Sequence, residues 1–114
     1  MSSFIKYEQN VGSVLSRILQ TELRHGGGPG DGGVDWFGVV SGGLRTIVQC
    51  KASHRPLPIK DVREFEAVVA GEKKSGEVLG ILVSSSPLSR IALQHVISSD
   101  EALVSMRMAP SGEV

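Results

Sequence analysis

Gly26-Gly27-Gly28-Pro29-Gly30-Asp31-Gly32-Gly33, then Val34-Asp35-Trp36-Phe37-Gly38-Val39-Val40, then Ser41-Gly42-Gly43 and Arg45-Thr46-Ile47-Val48-Gln49-Cys50-Lys51: this stretch decides the fold. A glycine-rich loop runs into two β-prone segments separated by a turn, which predicts a hairpin over 34–40 and 45–52. Side chains alternate across a strand, so Gln49 and Lys51 point to one side and Val48 and Cys50 to the other. Ile47, Val48 and Cys50 are apolar on both faces, as expected of a central strand, and leave Gln49 and Lys51 as polar exceptions. A buried polar pair without a task costs free energy. Asp35 on the first strand, beside an amide and an amine on the second, is a layout suited to a divalent cation and an attacking water.

Gly30-Asp31-Gly32-Gly33-Val34-Asp35, a short turn and Val48-Gln49-Cys50-Lys51 together resemble the catalytic core of the Mrr-like branch of the restriction-endonuclease-like, PD-(D/E)XK, nucleases. In that branch the acidic residue of the second strand's motif is a glutamine, as at Gln49. Within the superfamily, short fungal mitochondrial proteins of the "required for respiratory growth" type look most similar. The resemblance extends over 7–97, and it is the pairing of the two half-motifs that makes it specific. It implies an α/β, three-layer sandwich with a mixed central sheet flanked by helices in the order α-β-β-β-α-β-α-β. It also implies a metal-dependent DNA endonuclease using Mg²⁺ or Mn²⁺, with DNA as partner, action as a homodimer suited to two-strand cutting, and a mitochondrial, in any case intracellular, location.

The same resemblance assigns roles. Asp35 supplies a carboxylate to the metal and the backbone carbonyl of Cys50 a second oxygen. Gln49 offers a neutral amide oxygen, a weaker ligand than glutamate. A first-helix glutamate turns toward the metal in the family, which marks Glu8 as a supporting ligand that restores the missing charge. Lys51 orients or activates the water. A catalytically inactive nucleic-acid-binding or assembly domain that keeps the fold is the alternative, but it has no need of Asp35 and Lys51.

Composition sets bounds. The 114 residues suffice for one core, read as a single domain over 1–109 with a loose tail over 110–114. The apolar fraction of 40% fits a globular protein. No apolar run approaches the ~18 residues of a membrane span, so no membrane partner is expected. The first residues show neither an apolar signal core nor an arginine-rich presequence. One cysteine excludes an internal disulfide.

Net charge is zero, against the basic footprint usual for nucleic-acid binders. The distribution is uneven: Arg45, Lys51, Arg55, Lys60 and Arg63 face a single acid, Asp61, with His54 among them. Arg24 before the loop, His54 and Arg55 in the connector, and Lys60 and Arg63 on one helix face are the candidate phosphate contacts. Each has an ordinary reading as solvated surface.

The remaining elements follow from periodicity. A helix over 7–20 carries Tyr7, Val11, Val14 or Leu15, and Ile18 or Leu19 as its stripe, with Glu8 one residue off it on the side of Gly12 and Leu15. Gly12, unfavourable in a helix interior by roughly 0.5–1 kcal/mol, suggests close approach of another group. A short edge strand lies within 21–25. A second helix over 59–70 follows Pro58 and ends at Gly71, with Val62, Phe65 and Val69 buried. The run 78–83 reads as a buried parallel strand. Ser86 as N-cap and Pro87 at the first helical position start a third helix with Leu88, Ile91, Ala92, Val96 and Ile97 as its stripe. That helix start makes Ser86 a further phosphate candidate. A last strand runs over 102–108.

Other chemistries fall away. The loop lacks the Lys-Ser/Thr of a P-loop, and Asp31 reads as a turn-former. His25, His54 and His95 have no zinc spacing. Ser84 to Ser86 lack a nucleophile-elbow pattern, and Cys50 belongs to the apolar side of its strand.

Overall fold

In the computed structural model, which describes residues 3–26 and 33–111, a five-stranded sheet runs in sequence order. Its strands are β1 (Arg24–His25), β2 (Trp36–Val40), β3 (Leu44–Lys51), β4 (Val78–Ser84) and β5 (Ala102–Arg107). β1, β2 and β3 pair antiparallel, while β3, β4 and β5 pair parallel. The helices are α1 (Ser3–Ile18), α2 (Ile59–Glu72) and α3 (Arg90–Ser98). This is the expected mixed sheet, with the expected element order.

Two cores flank the sheet. On one face Tyr7, Val11 and Leu15 of α1 pack on Val48, Cys50, Ile81 and Val83. On the other, Val62, Phe65 and Val69 of α2 and Ala92 of α3 pack on Ile47, Val78 and Leu82. Successive residues of β3 and β4 therefore feed opposite layers, and both strands are buried along most of their length.

Gly12 is explained by what lies on it. A Cβ built there would meet the Trp36 indole at 2.4 Å. The ring cannot easily retreat, because its Nε1–H donates to the Glu8 carbonyl at 2.9 Å. The close approach read from Gly12 is thus the β2 tryptophan docking on α1. At the other end of the chain, the buried Tyr7 hydroxyl donates to the Met108 carbonyl at 2.8 Å, and burial raises the phenol to about 12. Asn10 Nδ2 donates to the Pro110 carbonyl at 3.4 Å. The tail expected to be loose from Pro110 is therefore tied to α1 at its first residue; 112–114 lie outside the described residues.

Several boundaries differ. α1 begins four residues early and ends at Ile18, which is exposed. α2 runs through Gly71 into a 3₁₀ turn, Lys73–Ser75, and Gly76, at φ 119°, makes the stop instead. Ser86 does not cap α3. Leu57 pairs with Leu88 as an isolated parallel bridge, with Leu57 N–H to Pro87 carbonyl at 2.9 Å and Ser89 N–H to Leu57 carbonyl at 2.8 Å. That extended pairing holds 87–89 out of helix, so Ser89 becomes the cap and accepts from Ala92 N–H at 3.1 Å. Of the expected stripe, Ala92 is fully buried, Leu88 and Val96 pack partly buried against the core, and Ile91 and Ile97 are exposed.

A polar clamp joins α2 to the end of α3. His95 Nε2 lies 3.0 Å from Glu66 Oε1, and Ser99 Oγ donates to Glu66 Oε2 at 2.5 Å. The Ser99 hydrogen bond, then that of His95, hold the Glu66 carboxyl below its ordinary range.

Two outcomes are expected from this packing. Gly12→Ala gains helix propensity of roughly 0.5–1 kcal/mol but overpacks against Trp36 at about 1–3 kcal/mol, so denaturation should show net loss of stability, relieved in a Trp36→Leu background. Because the folded Glu66 pKa is depressed, the clamp's contribution is complete above the ordinary carboxylate pKa and lost as pH falls through the lower folded value. The thermal-midpoint difference between wild type and Glu66→Gln should accordingly shrink toward acid pH.

Candidate active site

The hairpin comes apart at Asp35. From Trp36 to Val40 the ladder with β3 is regular, Trp36 standing opposite Val48. One residue earlier, Asp35 N–H donates to the Val48 carbonyl at 2.8 Å and the Asp35 carbonyl accepts from Gly26 N–H at 2.7 Å. Its side chain then takes over where the ladder ends: Oδ2 accepts from Cys50 N–H at 2.6 Å. A carboxylate thus sits against the Gln49–Cys50 peptide, held by a charge-assisted bond.

Gln49 is 9% exposed and lies beneath Gly33, whose φ is +84° and whose hypothetical Cβ would fall 2.4 Å from Gln49 Nε2. Only a glycine combines that backbone with so close an approach. Gln49 Oε1 is buried and has no hydrogen-bond partner among the described residues. Orphaned buried acceptors are rare, and this one belongs to the residue whose peptide with Cys50 the Asp35 carboxylate contacts.

Lys51 closes β3 on the α2 side. Its Nζ is 3.5 Å from Asp61 Oδ1 in the first turn of α2. Asp61 was legible only as the lone acid of a basic stretch; its proximity to Lys51 was not, because a connector intervenes.

Glu8 approaches from the other face. It is buried on α1, its carboxylate pairs with His25 Nε2 through Oε1, and His25 packs edge-on to Trp36 with centroids 5.0 Å apart. The structure therefore does not bring Glu8 to Gln49 and Lys51 directly. Burial first, then the charges of Asp35 and Glu8, push the Cys50 thiol far above its usual range. Cys50 is 2% exposed and packs with the α1 core, as its strand parity required.

The basic candidates spread out. Arg24 is exposed on β1, opposite Phe37. His54 and Arg55 are exposed in the connector that follows Lys51. Lys60 and Arg63 are exposed on α2, Lys60 lying 4.0 Å from Glu64. Ser86 is 5% exposed, and its hydroxyl has no partner among the described residues. Asp31 lies outside the described residues.

Oxygen donors dominate the parting point: a carboxylate and an amide oxygen with no partner among the described residues. That chemistry fits a hard cation such as Mg²⁺, which takes one or two carboxylates and keeps several waters. No group of three His, Cys, Asp or Glu side chains suited to a metal occurs among the described residues. Ligands beyond these few would have to be backbone, water or substrate.

A family profile described as restriction endonuclease, of the Mrr catalytic type, matches residues 3–106. The chain belongs to this family. Two solved structures share the fold of this Mrr-type domain at TM-score 0.68 over 90% of the chain. One is the MspJI restriction endonuclease with a 27-mer oligonucleotide, at 20% identity; the other is a repair endonuclease from Pyrococcus abyssi, at 23%. The EndoMS complex with double-stranded DNA matches 68% of the chain at TM-score 0.54 and 22% identity. The domain spans 25%, 47% and 31% of those three chains respectively. No curated protein sequence matches it.

Thiol chemistry tests the site's geometry without any substrate. Cys50 should react with a thiol reagent at pH 8 at least about 100-fold more slowly folded than denatured. Asp35→Asn should accelerate labelling of the folded protein, since it removes a charge at the thiol and weakens the tie to Cys50 N–H. An unchanged rate would place the carboxylate elsewhere.

Proposed function

We propose that this Mrr-type domain is a divalent-metal-dependent DNA endonuclease centred on Asp35, Gln49 and Lys51. The observation that carries the reading is the pairing of two features on adjacent residues of β3: the Asp35 carboxylate at 2.6 Å from Cys50 N–H, and the buried Gln49 Oε1, which has no hydrogen-bond partner among the described residues. Mg²⁺ or Mn²⁺ would be held by Asp35, Gln49 Oε1 and the Cys50 carbonyl, with Glu8 adding negative charge from the α1 side. When bound, the cation supplies positive charge at the non-bridging phosphate oxygens and acidifies a water.

The chain's own groups do the rest. Asp35 is fixed by backbone bonds on both sides, so its carboxylate needs little reorganisation to bind. Lys51 offers an ammonium on the same strand face as Gln49, placed to orient a water and to offset developing charge. Gln49 brings an acceptor without adding a third negative charge beside Asp35 and Glu8, which limits repulsion of the phosphate. Exposed Arg24, His54, Arg55, Lys60 and Arg63 would contact the backbone of the duplex, a contribution that weakens with salt. Of the similar solved structures, one holds a 27-mer oligonucleotide and another double-stranded DNA, which supports DNA as the substrate class.

Asp35→Ala and Lys51→Ala should each lower cleavage of duplex DNA by at least about 100-fold, with the far-ultraviolet circular dichroism retained. Wild type should cut with Mg²⁺ or Mn²⁺ and stop in EDTA. Cleavage that persists in EDTA, or in Asp35→Ala, defeats the metal mechanism; binding without cleavage under every condition would favour a silent binding domain.

A further inference from the structure

Lys51 is a flexible side chain asked to hold a fixed charge, and β3 alone cannot fix it. Its four-carbon stem ends 31% exposed at the end of the strand, so packing immobilises only part of it. The first turn of α2 supplies the missing restraint. Pro58 caps α2 without a side-chain hydrogen bond, and Asp61, three residues on, has its backbone N–H bonded to the Pro58 carbonyl at 3.1 Å. In a capping box a side chain at this position would accept from the N-cap N–H, a donor that Pro58 lacks. Here Asp61 Oδ1 instead stands 3.5 Å from Lys51 Nζ, and the carboxylate is only 23% exposed.

We propose that Asp61 is a positioning residue for the Lys51 ammonium, a third element, α2, being required to aim the amine that β3 carries toward the scissile phosphate. This rests on the endonuclease reading and deepens it. An acid this close to a DNA-cutting centre is unfavourable for binding a polyanion, so its removal improves electrostatics for DNA. A role in affinity and a role in aiming the amine therefore predict opposite signs. The ion pair is partly exposed and contributes little to stability. A misplaced catalytic group, by contrast, costs rate steeply, by up to about 100-fold for 1 Å.

Asp61→Asn should lower kcat for duplex cleavage at least tenfold, with KM for DNA unchanged or reduced. Asp61→Glu, which restores the carboxylate on a longer stem, should recover part of that loss. Glu72→Gln removes the same charge at the far end of α2, where Glu72 pairs with Arg45 at 3.9 Å, and should leave kcat unchanged. A second readout needs no activity. Reductive methylation of Lys51 in the folded protein, followed by peptide mass spectrometry, should be several-fold faster in Asp61→Asn than in wild type or Glu72→Gln. If wild type never cleaves DNA, the endonuclease reading fails while the methylation rates still decide whether Asp61 restrains Lys51. Wild-type kcat in Asp61→Asn, a rise in kcat, or equal methylation rates would each overturn the proposal. A parallel loss of thermal stability and kcat without partial recovery in Asp61→Glu would do the same, assigning Asp61 to the helix start alone.

Discussion

The start of β2 depends on a side chain doing a backbone's work. A regular antiparallel ladder would give the Cys50 N–H a carbonyl across the hairpin. It receives the Asp35 carboxylate instead. A hydrogen bond to a charged acceptor contributes about 1.5–3 kcal/mol, enough to end the ladder without leaving a buried N–H unpaired. The same bond brings the negative charge against the Gln49–Cys50 peptide. The parting of the strands and the creation of a cation-compatible point are therefore one event.

That event is possible only because β3 is held on both faces. Val48 and Cys50 are locked by α1, Ile47 by α2. With its apolar side chains fixed, the strand presents Gln49 and Lys51 in one orientation, one residue apart from Cys50 on either side. Gln49 is then pressed under Gly33, where a Cβ would collide with it. The amide nitrogen is confined, and the oxygen has no hydrogen-bond partner among the described residues. Such an arrangement is destabilising for a purely structural residue, which is why it reads as preparation for a ligand.

Electrostatically the site is asymmetric. Acids lie on the α1 side and at the parting point, where Glu8 and Asp35 both act on the Cys50 thiol. The amine lies on the α2 side, tied to a further acid. Positive charge for a polyanion is not spread over the molecule, whose formal balance is zero. It is offered locally, by exposed side chains of β1, the 52–58 connector and the outer face of α2. A cation bound between these groups would change the sign of the local field more than any single side chain does.

Local chemistry made much of this legible. Strand parity alone separated Gln49 and Lys51 from Val48 and Cys50, because side-chain alternation is fixed by backbone geometry. The continuous apolar run before Ser84 announced a buried parallel strand, and Gly12 announced a close neighbour. What the neighbour was, Trp36 across 24 residues of chain, only packing could decide. Tertiary pairing also overrode local signals: Ser86-Pro87 has good helix-start chemistry, but the bridge between Leu57 and Leu88 claimed that segment and moved the cap to Ser89. The Lys51–Asp61 pair and the placement of Glu8 against His25 arose the same way, from helices docking on opposite sheet faces. The order of residues determined which groups each strand or helix carries and on which side. Which of them meet was settled by how three helices bury their apolar stripes on one sheet, since non-local contacts are chosen by the total packing and not by any single stretch.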